Sequence, residues 1–103
     1  MADKIKTLSQ AMRLGATFRP QGFGVCEAFI NPDGSGKSCA MVAAREAVYG
    51  KAAWGQKPFE IEGQFVERFP ISTAVYVDVV IKNDRYRWTR ELIAQWLEDQ
   101  HGL

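Results

Sequence analysis

The most suggestive chemical motif in the sequence is the segment 31–38, which reads NPDGSGKS and ends like a phosphate-binding loop. Such a loop begins with glycine so that backbone N–H groups can wrap the phosphates. Here the first position is Asn31, and Pro32 removes one backbone donor. The same residues fit a hairpin turn followed by a helix that Ser38 caps. Nucleotide binding at 31–38 is therefore the third of three functional hypotheses.

Nucleophilic and metal chemistry have few candidates. The chain has two cysteines, Cys26 and Cys39, and one histidine, His101. A structural zinc site needs four ligands, and no paired CxxC or HxxxH spacing is present. His101 follows a predicted helix, where its charge would favour the helix end rather than serve as a base. We expect two reduced thiols close together across the hairpin, no metal, no cofactor and no enzymatic activity.

The segment 82–90, which reads KNDRYRWTR, joins four cations to two aromatic residues. Arginines there could contact phosphates while a tyrosine stacks on a base, and two helical flanks would give a layout similar to a helix-turn-helix. Alternatively, Trp88 packs into the core and the cations form a solvated rim, which the acidic residues of the following helix favour. The candidate residues for a partner or nucleic-acid contact are Lys82, Arg85, Tyr86, Arg87 and Arg90.

Local signals predict the elements that position these residues. A helix over 8–17 follows a capping box that starts at Thr7. A strand at 25–30 and the turn beginning Asn31-Pro32 predict a β-hairpin. An alanine-rich helix over 39–49 follows, and a helix over 90–100 begins after Thr89.

Two regions are harder to interpret. Glycine and proline interrupt 51–70, which predicts an irregular connection pinned by aromatic residues, with a short strand at 59–61. The apolar segment 75–81 fits a strand or a helix, since both of its faces are apolar. The predicted fold is α+β and helix-dominated: an N-terminal helix, a hairpin, a central helix, the connection and a C-terminal helical pair.

The last helix has one wide apolar stripe, which predicts its buried face. The stripe comprises Leu92, Ile93, Trp96 and Leu97, and Trp96 is expected to be its main anchor. Arg90 is expected on the opposite, solvent-facing side.

Composition limits the function classes. The chain has 103 residues, 47% hydrophobic and 24% charged, which predicts one globular domain over 1–103. Its net charge of +1 disfavours a broad electrostatic nucleic-acid binder. The sequence shows neither a signal peptide nor a membrane-length apolar run, so a cytoplasmic protein without membrane contact is expected.

Three segments resemble a loose group of small, uncharacterised bacterial and phage-associated proteins. Arg13-Leu14-Gly15-Ala16 with Arg19-Pro20-Gln21 matches R-x-G-A-x-x-R-P-Q, and Ser38 to Ala44 matches S-C-A-x-x-A-A. Asn83 to Glu98 matches N-D…W-[ST]-R-E-x-I-A-x-W-L-E. The resemblance implies a helix over 74–81 and supplies no activity. We therefore expect an accessory or protein-interaction domain with an unknown protein partner; the alternative is weak nucleic-acid binding through 82–90.

Overall fold

The computed structural model describes residues 5–24, 35–50, 53 and 58–103 of the chain. The helices within these residues are α1 (Leu8–Gly15), α2 (Ala40–Tyr49), α3 (Pro58–Arg68), α4 (Thr73–Asp84) and α5 (Arg90–His101). Helix α2 contacts α1, α3 and α4, while α5 packs against α1 and α4. This central position explains why residues 40–46 of α2 are all buried.

Small residues allow α1 and α2 to approach closely. A Cβ atom added to Gly15 would lie 1.7 Å from the carbonyl oxygen of Ala43 in α2, so glycine is required at this crossing. Ala40 and Ala44 are also fully buried on α2. Alanine favours helix formation, and its small side chain allows the backbones of neighbouring helices to approach closely.

The predicted N-caps of the first and last helices are confirmed. The Thr7 hydroxyl accepts from the Gln10 N–H at 3.2 Å, and the Thr89 hydroxyl accepts from the Leu92 N–H at 3.1 Å. Each bond satisfies a backbone donor that the first helical turn leaves without an intrahelical partner. The helix implied over 74–81 is confirmed as well, and Ser72 caps it through the N–H of Val75.

The predicted α+β class is wrong for the part of the chain that the structure describes, which is helical and contains no strand. The predicted strand 25–30 and most of its turn lie outside the described residues. Between described residues, the returning arm makes one isolated parallel bridge, which joins Gln21 to Ser38. There the Ser38 N–H donates to the Pro20 carbonyl at 3.0 Å, and the Gly22 N–H donates to the Ser38 carbonyl at 2.9 Å. Two such bonds hold extended segments side by side but are too few for a strand.

The irregular connection and short strand predicted within 51–70 are also wrong where the structure describes them, because Pro58–Arg68 is helical. Proline suits the first turn of a helix, and the cost of Gly63 in a helix, about 1 kcal/mol, is small against tertiary burial. Phe65 and Phe69 lie four residues apart on the buried face, at 1% and 6% exposure. Two of the predicted anchors, Phe65 and Phe69, are therefore buried, but they hold a helix.

Candidate functional site

Asn83 is the centre of a buried polar cluster near the end of α4. Its Oδ1 accepts from the backbone N–H of Ala40 at 3.0 Å and from Gln21 Nε2 at 2.8 Å. Its Nδ2 donates to the Gly22 carbonyl at 2.9 Å. A side chain of α4 thus caps the first turn of α2 and fixes the extended segment at residues 20–22. The sequence predicts Ser38 as that cap, but Cys39 holds the cap position and its side chain makes no capping bond.

Arg90 lies inside the protein, so its predicted solvent-facing position is wrong. It is only 7% exposed. Its Nη1 donates to the Ser38 hydroxyl at 2.8 Å, and its Nη2 donates to the Arg19 and Ala16 carbonyls at 2.7 Å and 3.2 Å. Burial lowers the pKa of Arg90. The guanidinium therefore joins the start of α5 to the segments that follow α1 and precede α2.

We call the group Gln21, Ser38, Asn83 and Arg90 the polar junction. Each of its members lies in one of the three segments that carry the sequence resemblance. The structure assigns these side chains to the assembly of the fold, through hydrogen bonds between distant parts of the chain.

Lys82 is also engaged within the protein. Its Nζ lies 4.2 Å from the ring centre of Trp96 and 5.1 Å from that of Trp88. A cation over the face of an indole ring is attracted to it by about 0.5–2 kcal/mol. Trp96 is half-buried and packs against the core, and its other contact is an edge-on one with His101, at 4.7 Å between ring centres.

The remaining predicted contact residues lie on the surface between α4 and α5. Arg85 and Arg87 are exposed, and Tyr86 is 62% exposed. Arg87 has a φ of 55°, in the left-handed region that costs a residue other than glycine about 1 kcal/mol or more. Its guanidinium carbon lies 4.9 Å from the ring centre of Phe23. Sequence reasoning does not identify Phe23, because this contact joins residues far apart in the chain.

Leu92 is 55% exposed, so its predicted place in the core is wrong. The buried residues of α5 are instead Arg90, Ile93, Ala94 and Leu97, with the three- and four-residue spacing of a single helical face. The predicted stripe was too wide, and it excluded Arg90 because that residue is charged. We define the corner surface as Arg85, Tyr86, Arg87 and Leu92, four exposed residues within one loop and the first turn of α5.

Charges on the other side of α5 form pairs. Arg13 of α1 donates to Glu91 at 2.7 Å, to Gln95 at 3.0 Å and also to Glu98. These bonds, led by the one to Glu91, raise the pKa of Arg13 despite some desolvation. One cation meets two carboxylates, so this face of α5 remains acidic.

The phosphate-loop hypothesis finds little support in the described geometry. Residues 31–34 lie outside the described residues, and Lys37 is exposed. The Ser38 hydroxyl, which would bind Mg²⁺ in such a loop, instead accepts from buried Arg90. Cys39 is buried, whereas Cys26 and its predicted proximity to Cys39 lie outside the described residues.

Within the described ranges, no three side chains of His, Cys, Asp or Glu come together to hold a metal ion. None of the helices found there combines the length and the apolar character needed to cross a membrane. Comparison with known proteins identifies no matching family model, no matching curated protein and no matching solved structure.

Proposed function

We propose that the protein is a non-enzymatic protein-interaction domain and that its corner surface contacts the partner. The observation that supports this most strongly is the exposure of two large side chains, Tyr86 at 62% and Leu92 at 55%, beside Arg85 and Arg87. Tyrosine and arginine are over-represented among the residues that dominate binding energy at protein interfaces. Partner binding would remove both exposed apolar groups from water.

The loop that carries this surface is held on both sides. The Trp88 N–H donates to the Lys82 carbonyl at 2.9 Å, and the Trp88 carbonyl accepts from Gln21 Nε2 at 2.8 Å. Thr89 then caps α5. A surface that is already ordered loses little conformational entropy when it binds, which favours recognition by a small number of side chains.

Nucleic-acid binding is the second candidate, and one observation favours it. Tyr86 offers a ring for base stacking, next to an arginine placed over Phe23. Two observations weigh against it. Arg90 is buried and half-buried Lys82 lies over two indole rings, which leaves two of the four cations of 82–90 exposed. Leu92 also offers nothing that a sugar-phosphate chain would recognise.

A peptide selection tests the proposal. A displayed library of random peptides would be selected against the wild-type protein, and the enriched peptides measured against three variants. Tyr86→Ala and Leu92→Ala should each weaken binding about tenfold or more, which is the loss expected for an interface residue of major energetic importance. Val66→Ala is the matched control, because Val66 is exposed on α3, away from the corner surface.

The proposal fails if the enriched peptides bind all three variants as they bind the wild type. A pool of random single-stranded DNA, selected in parallel, tests the second candidate. DNA binding that needs Tyr86, without any peptide binding that needs Tyr86 or Leu92, would replace the proposal with nucleic-acid recognition.

A further inference from the structure

The corner surface is positively charged, which indicates the kind of partner that it binds. Three cations, Lys82, Arg85 and Arg87, flank the loop, and the nearest carboxylate in the sequence is Asp84. Asp84 is half-buried, and its Oδ1 accepts from the side-chain amide of Asn83 at 2.7 Å. That carboxylate is therefore held by the polar junction, and the exposed charges of the loop are the two guanidinium groups.

The guanidinium of Arg87, which contacts Phe23, can bind a planar anion. The N–H donors of arginine lie in the plane of the group, and the guanidinium carbon of Arg87 lies 4.9 Å from the ring centre of Phe23. Arg87 is exposed, and its planar guanidinium can donate the two parallel hydrogen bonds that a carboxylate accepts. The left-handed backbone at Arg87 is a conformation that glycine would adopt more readily, so the fold itself does not need arginine there.

Apolar groups accompany these cations. Leu92 lies one helical turn before Trp96 on α5, and Trp88 lies in the loop just before this helix. Lys82 lies over both indole rings, so the two rings are on the same side of the helix. A partner that covers Leu92 and Tyr86 must therefore present an apolar side chain close to the anions that meet Arg85 and Arg87.

We infer that the corner surface binds a short acidic peptide segment of a partner protein, in which a large apolar side chain lies between carboxylates. This inference rests on the proposed protein-interaction function. A long polyanion fits less well, because its path along α5 would meet Glu91, Glu98 and Asp99, and one cation, Arg13, pairs with two of these carboxylates. A patch of four exposed residues matches a small, transient interface with a Kd of roughly micromolar order.

Three synthetic peptides of identical length test the inference. Each has one central leucine or tryptophan, with flanking residues that are all Glu, all Gln or all Lys. Binding would be followed by fluorescence anisotropy at low and high salt. We expect the Glu peptide to bind saturably with a micromolar Kd. High salt, replacement of the flanking Glu residues by Gln, and the protein variant Arg85→Gln should each weaken this binding about tenfold or more. The Lys peptide should not bind.

Arg87→Gly separates binding from folding. Glycine accepts the positive φ of this position, so the thermal midpoint should stay within about 3 °C of the wild-type value while binding of the Glu peptide falls about tenfold. Arg87→Lys keeps the charge without the planar fork and should bind at an intermediate level. Lys6→Gln is the charge-matched control, since Lys6 is an exposed cation before α1, and it should bind as the wild type does.

The outcomes distinguish this inference from the function on which it rests. If the Gln peptide binds as well as the Glu peptide and still requires Leu92, the inference is overturned and the interaction function stands. If none of the three peptides binds in a way that depends on Tyr86 or Leu92, both are overturned. Binding of an oligothymidylate that requires Arg85 and Arg87, in place of the Glu peptide, overturns both in favour of nucleic acid.

Discussion

Replacing Arg90 with alanine should strongly destabilise the protein, although the sequence placed this residue on the solvent-facing side. The buried guanidinium makes three hydrogen bonds of 2.7 to 3.2 Å to the Ser38 hydroxyl and to two carbonyl oxygens. Hydrogen bonds that involve a charged group contribute about 1.5–3 kcal/mol each, and desolvation of the guanidinium offsets part of this sum. The variant also leaves buried acceptors without a donor, so we expect a loss of about 3–5 kcal/mol in the free energy of unfolding.

Urea denaturation followed by tryptophan fluorescence measures this loss. A domain of this size has a total stability of about 5–10 kcal/mol, so the variant should lose a large share of it. With a slope of about 1.5 kcal/mol per molar urea, the midpoint should fall by about 2–3 M. Arg90→Lys should keep part of the stability, because an ammonium group carries the charge but not the fork that reaches several acceptors at once.

Arg85→Ala is the matched control, because Arg85 is an exposed arginine in the loop before α5. It should change the free energy of unfolding by less than about 0.5 kcal/mol. If Arg90→Ala and Arg85→Ala had equal stabilities, the assignment of Arg90 to a buried, energetically important junction would be refuted.

The remaining predictions use the same denaturation assay. Gly15→Ala should cost about 2–4 kcal/mol of stability, because the added Cβ would meet the backbone of α2. Gly63→Ala in α3 has open space around it and should stabilise the protein by about 0.5–1 kcal/mol. Equal effects of the two substitutions would contradict the close helix crossing. Leu97→Ala should cost about 3 kcal/mol and Leu92→Ala under about 1 kcal/mol, since Leu97 is fully buried and Leu92 is not; the reverse order would contradict the described face of α5. Asn83→Ala should cost about 2–3 kcal/mol through the lost cap and amide bonds, and a neutral result would contradict the polar junction.

Local signals predicted the parts of the fold that local interactions determine. The hydroxyls of Thr7 and Thr89 bond to N–H groups only three residues away, so sequence spacing alone identified the starts of α1 and α5. Helix α3 was missed because Pro58 and Gly63 were interpreted as breaks, while the burial that stabilises the helix involves residues elsewhere in the chain. Tertiary burial outweighed a weak intrinsic preference.

The same difference between local signals and distant contacts applies to the candidate site. The sequence identified the segment between two helices as a candidate contact region, and its residues Arg85, Tyr86 and Arg87 are exposed. It could not distinguish them from Lys82 and Arg90, because the indole rings, carbonyls and hydroxyl that engage those two cations come from other elements. A charged residue in an amphipathic pattern is normally predicted to face solvent, and its burial becomes evident only from the groups that it contacts in the folded structure.

The cap that Asn83 places on α2 affects the order in which the protein can fold during synthesis. The amide oxygen and the N–H that it accepts from are 43 positions apart, and Arg90 reaches back 71 positions to the carbonyl of Arg19. Contacts of such high sequence separation form only after a large loop has closed. The first turn of α2 therefore leaves the ribosome without its cap and stays without one until α4 has emerged. A nascent chain stalled before Asn83 should accordingly expose the alanine-rich helix to proteases and chaperones, even though every residue of that helix has already been made.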